Sequence, residues 1–418
     1  MSQPFRIGIY DAYLSTLGGG ENFVAVFAEF LEHEYPDAQV DLITYAPYSI
    51  EVERLQERFG VELRRTKVRV IQSAPRGYLC RLGPARRYYH ELDVGQVSRE
   101  YDLFVNNTIY SLAPPRSRRS LYMCMFPLDP SPMVLRRQRW RRRILAPYVL
   151  ARRQLYRYWM RRYDMMLANS EYTRRWIERM WGLPSEVLYP PVETVRRLSM
   201  EKKGGSILSI GRFFPGNHNK KHDVLIDAFI GMVQQGGLLG WQLHLVGGKT
   251  ENPGTDEYIS QLRRRAAGFP IHFYVDASRN TLRDLLERSS LFWHATGFGE
   301  DGGKEPEKLE HFGLSTVEAM THGCVPVVFD SGGQGEIIEE GVNGFLWRNL
   351  DEFRQRSLLL SCDETLREAM GRTAHEHSQA FSRRAFRARS RQLLSAVMPA
   401  REGSLAGLQA GSARHVVG

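Results

Sequence analysis

SILSIG at residues 206–211, WQLHLVGG at 241–248, IHFYV at 271–275, LFWHA at 291–295 and VPVVF at 325–329 are apolar runs of strand length within one part of the chain. Helical patterns beginning near Lys221, Thr255, Arg279, Leu314 and Gln334 separate them. Continuous apolar runs alternating with amphipathic helices imply a parallel sheet covered on both faces. The fold class is therefore α/β.

The first half repeats the alternation less cleanly. Phe5 to Tyr10, Val40 to Tyr45, Leu103 to Asn106, Leu121 to Met125 and Met165 to Asn169 read as strands. Between the first two, Phe23, Val26, Phe27 and Phe30 mark one buried face of a helix over Glu21 to Leu31. A chain of 418 residues exceeds what one core organises, so two Rossmann-like domains follow. Pro190, Pro191 and the run Lys202 to Gly205 interrupt regular structure, which places a hinge near 195–204. The expected division is 1–198, 199–376, a helix over 377–398 packing back toward the N-terminal domain, and a Gly-, Ser- and Ala-rich disordered tail over 399–418. In such sheets ligands bind beyond the carboxyl ends of the strands, where strand order reverses.

The N-terminus has no basic, long apolar and small-residue signal pattern, and no apolar stretch approaches the roughly 20 residues of a spanning helix. The expectation is a cytoplasmic protein that at most lies on the inner face of a membrane. Cys80, Cys124, Cys324 and Cys362 are widely spaced and read as buried free thiols. The formal charge of +10 is local, since eleven arginines and no acid lie between Arg136 and Arg162, and without them the chain is near neutral.

Chemistry concentrates in Glu310-His311-Phe312-Gly313-Leu314-Ser315-Thr316-Val317-Glu318-Ala319-Met320. A helix starting near Ser315 would offer unpaired N–H groups and a positive dipole end to a diphosphate, with Gly313 permitting close approach. Ser315-x-x-Glu318 is also a capping box, in which Glu318 would only reach back to the helix start. Glu310 stands outside any such cap. A second segment, GRFFPGNHNKKHD at 211–223, puts Arg212 and Lys220 on the loop leaving a strand. A third, Gly18-Gly19-Gly20-Glu21, follows the first strand, and a fourth, SGGQGE at 331–336 with Asn343-Gly344-Phe345, forms turns. No D-x-D triplet offers itself to Mg²⁺, so no metal or other cofactor is expected.

EHFGLSTVEAM resembles the E-x7-E signature of the family 4 retaining glycosyltransferases, and GRF…K…DVLIDAF, GGGE and GGQGE resemble other segments of that family. ANSEYTRRWI, EVLYPPVE and LFWHATGFGE extend the likeness from about Ile7 to Phe386. The resemblance implies a GT-B fold, with two parallel sheets facing across a deep cleft. It implies a nucleotide-sugar donor whose diphosphate meets Arg212, Lys220 and the helix start at Gly313 to Thr316. The base would lie near Val275 and the ribose near Glu318, with Gly19, Gly20, Phe312, Leu314 and Ser315 completing the donor site and Glu310 positioning the sugar. The acceptor would be a glycan or lipid-linked. One departure matters: relatives often carry H-F-P or H-Y-P, where Cys124-Met125-Phe126-Pro127 places Met125 at the histidine.

The segment APYVLARRQLYRYWMRRYD predicts a helix on which Arg153, Arg157 and Arg161 align, with Ala151, Leu155, Tyr158 and Trp159 on a neighbouring apolar face. A solvated helix face, an anionic membrane or polyprenyl-phosphate surface, and nucleic acid all suit such a stripe, and the family's lipid-linked acceptors favour the second. A non-catalytic binder of anionic polymers, and a GT-B sugar-nucleotide epimerase or phosphorylase, are the rival classes. No nucleic-acid partner is expected.

Overall fold

The computed structural model describes residues 4–72, 83–108, 111, 113–127, 147, 150–151, 154–216, 219–249 and 254–398. Cys80, Arg153, most of the arginine-rich segment and the tail from 399 lie outside the described residues.

The chain runs β1 (Arg6–Tyr10), α1 (Gly19–Glu34), β2 (Gln39–Tyr45), α2 (Val52–Phe59), β3 (Lys67–Ile71), α3 (Gly83–Val97), β4 (Leu103–Asn106), β5 (Arg119–Cys124), β6 (Met165–Ala168), α4 (Glu171–Trp181) and β7 (Glu186–Val187). These strands form a parallel sheet in the order β3-β2-β1-β4-β5-β6-β7. Ile7 pairs with Val40 on one side and Leu103 on the other.

The second half runs β8 (Gly204–Ile210), α5 (His222–Gln234), β9 (Gln242–Gly247), α6 (Thr255–Arg265), β10 (Ile271–Val275), α7 (Arg279–Arg288), β11 (Ser289–His294), α8 (Leu314–Thr321), β12 (Val325–Phe329), α9 (Gln334–Ile337) and β13 (Phe345–Trp347). Its parallel sheet has the order β10-β9-β8-β11-β12-β13. Both halves are thus doubly wound, with strand order reversing between β1 and β4 and between β8 and β11. Every strand expected from the apolar runs is present. The sequence reading did not include β3, β7 and β13, all three at sheet edges.

The helical stretch after Asp351 is three helices, α10 (Leu350–Cys362), α11 (Glu364–Ser378) and α12 (Arg383–Val397). Asp363 breaks the first join, its side chain accepting from the Leu366 N–H, and Ser382 caps the last helix through the Ala385 N–H. The chain crosses between the sheets over 188–203 and again near 379–382, and the two crossings lie side by side, the Val192 N–H donating to the Phe381 carbonyl at 2.9 Å. α12 then packs on α1: Phe386 meets Phe23 and Phe27 edge-on at 5.4 and 6.0 Å, and Leu393, Leu394 and Val397 join the same core.

Cys124 and Cys324 are buried free thiols as expected, but Cys362 is exposed at the end of α10. Among the described residues no helix is long and apolar enough to cross a membrane.

Phe386 joins the last helix to the first sheet's core, and its removal leaves a cavity between α1 and α12. Phe386→Ala is expected to lower the free energy of unfolding by about 3–5 kcal/mol, measured by denaturant titration. A loss below about 1 kcal/mol would show that α12 is not part of the cooperative core.

Candidate active site

The loop leaving β8 and the loop leaving β11 start from neighbouring strands at the reversal point, so their side chains converge. The first loop is pinned by Phe213, which is fully buried, donates its N–H to the Gly248 carbonyl at 3.0 Å and stacks on the His222 ring at 4.7 Å. That anchoring aims Lys220 at Glu310, with 2.6 Å between Nζ and Oε2. Their side chains are only 16% and 12% exposed, so the pair sits where a charge would be costly alone.

His294, the last residue of β11, completes the group. Its Nδ1 lies 3.3 Å from Gln334 Nε2, which donates to it, so Nε2 carries the proton and donates to Glu310 Oε2 at 3.0 Å. Thr296 Oγ1 lies 3.1 Å from the same Nε2. Burial holds the His294 imidazole below its usual range, and the ring is neutral. Glu310 is thus held by the Lys220 ammonium and by the neutral His294 N–H.

The backbone around Glu310 is fixed as firmly. The Gly333 N–H donates to the Glu310 carbonyl at 2.8 Å. Gly332 has φ of +62° and a Cβ there would collide with that carbonyl, so only glycine lets the 331–333 turn approach. Past Glu310, the His311 ring stacks on Phe126 at 4.3 Å and burial pushes it down to about 4. Gly313, with φ of +115°, is the N-cap of α8, its carbonyl accepting from Thr316 and Val317 at 3.0 and 3.1 Å.

This settles the capping-box alternative. Ser315 lies inside α8 rather than at its cap, and no side chain caps the helix. Glu318 does not reach back. Desolvation pushes its carboxyl up to about 7, Arg58 pulling it down and Glu193 pushing it up. The first N–H groups of α8, at Leu314 and Ser315, precede the first turn and have no acceptor within the helix.

Other expected site residues divide. Arg212 is exposed, and its charge reaches Glu21, which burial otherwise raises. Gly19 and Gly20 open α1, and a Cβ on Gly19 would stand 3.3 Å from Leu314 Cδ2, so these two segments meet across the halves. Val275 ends β10, two strands from β8, at the same carboxyl edge. Phe312 is a correction: its side chain is buried between Tyr189 and Phe381, at 5.5 and 5.4 Å, and only its backbone belongs to the loop. Thr316 is also fully buried.

Of the basic stripe, Arg153 lies outside the described residues. Arg157 is half-buried and donates to the Met180 carbonyl at 3.4 Å, while Arg161 is exposed. Tyr156, Trp159 and Met160 form the buried face of residues 154–160, whereas Leu155 and Tyr158 point outward.

Sequence reasoning missed His294 and Gln334: His294 ends an apolar strand, where it reads as a core histidine, and Gln334 lies inside a turn motif. The two halves meet through α4, whose start at Glu171 and Tyr172 donates N–H groups to Glu336 at 2.7 and 2.6 Å. Ser170 Oγ donates to the His311 carbonyl at 2.6 Å. Among the described residues no group of three or more His, Cys, Asp and Glu side chains is placed to hold a metal ion.

Residues 193–377 match the family model described as Glycosyl transferases group 1. GDP-Man:Man(3)GlcNAc(2)-PP-Dol alpha-1,2-mannosyltransferase of Homo sapiens is 26% identical over 243 residues, 53% of this chain and 46% of that protein. The Mus musculus protein of that name is 28% identical over 224 residues, 49% of this chain and 43% of its own length. The chain therefore spans less than half the length of these curated relatives. Among solved structures, Anabaena HepE in complex with UDP and glucose superposes with a TM-score of 0.66 at 20% identity, covering 94% of this chain and all of that one. Sucrose-phosphate synthase of Thermosynechococcus elongatus gives 0.66 at 15% identity, covering 94% and 98%. These likenesses establish the GT-B fold, and the family match with its mannosyltransferase relatives supports a glycosyltransferase enzyme.

Because its folded pKa is raised, Glu318 contributes stability in full below about 4.3, the unfolded value, and loses it as pH rises through about 7. The melting temperature of the wild type relative to Glu318→Gln is expected to fall between pH 4.5 and pH 7.5, roughly that window. A difference that stays flat across it would show an ordinary carboxylate.

Proposed function

We propose that this chain transfers a hexosyl unit from a nucleoside-diphosphate sugar to a glycan or lipid-linked acceptor with retention of configuration, without a metal ion. The observation that supports it is the convergence of Lys220, Glu310 and His294 at the reversal point, beside the start of α8. When the bond from the anomeric carbon to the phosphate oxygen breaks, charge builds on the diphosphate. Lys220, Arg212 and the α8 amides meet that charge where it develops. Glu310, held from two sides, orients the hexose, and Glu318 faces the ribose. The acceptor oxygen attacks from the face the phosphate leaves, and the departing phosphate oxygen takes its proton.

GDP-Man figures in the name of the curated relatives and UDP in the solved HepE complex, so both nucleotides belong in the test. Release of GDP or UDP from GDP-mannose and UDP-glucose is followed by mass spectrometry. Lys220→Ala and Glu310→Gln are each expected to reduce turnover by at least ~100-fold, the scale for one aimed charge or donor. Wild-type turnover in both variants would move the site elsewhere.

A membrane surface is the second element of this reading. Leu150, Leu155 and Tyr158 are 59%, 38% and 55% exposed beside the exposed Arg161 and Arg162. Apolar side chains among cations suit the headgroup region of anionic lipid. Reversing Arg161 and Arg162 to Glu is expected to weaken flotation with phosphatidylserine vesicles, at roughly 1 kcal/mol or more per reversed charge, with nucleotide release unchanged. Equal flotation would leave the arginines as a solvated face.

A further inference from the structure

Among the described residues, Leu17, Lys221 and Asp276 are the ones with left-handed backbone that are not glycine. Lys221, at φ of +54°, directly follows Lys220 and is the N-cap of α5, its carbonyl accepting from the Val224 and Leu225 N–H groups at 3.1 and 3.3 Å. An L-residue is disfavoured in that region because its Cβ crowds a backbone oxygen, and glycine, asparagine and aspartate are the residues that visit it routinely. A lysine kept there needs a restraint from outside the turn.

The restraint comes from the loop after β11, which also carries Glu310. Lys221 Nζ donates to Glu300 Oε1 at 2.7 Å and Lys308 Nζ donates to Glu300 Oε2 at 3.0 Å, so both oxygens of the carboxylate are engaged. The three side chains are only 21–23% exposed, which screens their pairing less than an open surface would. The Lys221 hydrogen bond holds the Glu300 carboxyl below its usual range, against burial and with the help of Lys308. Asn219 Oδ1 takes the Lys221 N–H at 2.7 Å and closes the turn from the other side.

Two consecutive lysines thus reach two carboxylates of one loop, Lys220 to Glu310 and Lys221 to Glu300. The stem of Lys220 has little freedom of its own, since it runs against Gly211, where a Cβ would stand 2.5 Å from Lys220 Cγ. Phe213 anchors the start of the lysine loop, and the turn at Lys221 fixes its end. The direction of the Lys220 ammonium follows from that turn.

We propose that Glu300 is a positioning residue for sugar transfer, which clamps Lys221 in its left-handed turn and thereby aims Lys220. The inference rests on the transferase reading of the cleft.

The test follows nucleotide release by the whole chain from GDP-mannose and UDP-glucose, with kcat referred to the nucleotide-binding stoichiometry so that only folded protein is counted. Glu300→Ala is expected to lower kcat about 10-fold and to leave KM for the nucleotide sugar within about twofold, because Lys220 is kept but misaimed where charge develops. Lys221→Ala and Lys221→Gly both remove the ammonium, but only alanine leaves a Cβ in the left-handed turn. Lys221→Ala is therefore expected to lose kcat as Glu300→Ala does, and Lys221→Gly to exceed it about fivefold, whether alone or joined to Glu300→Ala. Wild-type kcat in Glu300→Ala would overturn the positioning role. So would equal losses in the two Lys221 variants, which would make the ammonium itself the working group. If Glu300→Ala does not fold, the contrast between alanine and glycine at 221 decides. A wild type that releases neither nucleotide would overturn the transferase reading, and this inference with it.

Discussion

The ion pair between Lys220 and Glu310 depends on one constraint, the reversal of strand order between β8 and β11. At every other neighbouring pair in that sheet, successive crossovers go the same way and their connections cover the strand ends. At the reversal they diverge, so the carboxyl ends of two adjacent strands stay uncovered. Two loops can then send opposite charges into one crevice from positions ninety residues apart in sequence. Nothing local in either segment brings them together.

A half-buried ion pair is a poor source of stability, because desolvation offsets most of its attraction. Its arrangement here is more informative than its energy. Glu310 takes an N–H from neutral His294 as well, so the carboxylate is held from a second direction and does not depend on Lys220 alone. The ammonium is a compact charge with rotatable donors on a flexible stem, so its direction is set by its partners rather than by a fixed fork. Arg212 is exposed at the start of the same loop, and its charge reaches Glu21 of the other half.

Much of this was legible in the amino-acid order. The central strands are buried on both faces, and their runs, such as LFWHA and VPVVF, are continuous enough to read directly. The edge strands were not: KVRVI of β3 buries only Ile71, and β7 and β13 are two and three residues long. Pairing with a neighbour, rather than burial, makes them strands, and pairing is invisible in one segment. Glu310, Lys220 and Gly313 could be found because they sit in gapped motifs. His294 could not, since a histidine ending an apolar strand is indistinguishable from a core histidine until Gln334 and Glu310 are seen on either side. Phe312 failed for the opposite reason: it lies inside the motif, but its side chain turns into the core between Tyr189 and Phe381.

That turn of Phe312 explains why four consecutive residues act as one device. The side chain of Glu310 faces the crevice, the carbonyl of His311 takes the Ser170 hydroxyl from the other half, Phe312 anchors the loop in the core, and Gly313 starts α8. Glu336, following the turn that grips the Glu310 carbonyl, holds the first N–H groups of α4. A carboxylate at a helix start is favoured by both its hydrogen bonds and the dipole. The contacts that bring the halves together are therefore made by the same short segments that orient Glu310. Separating the halves would pull on the backbone that carries Glu310.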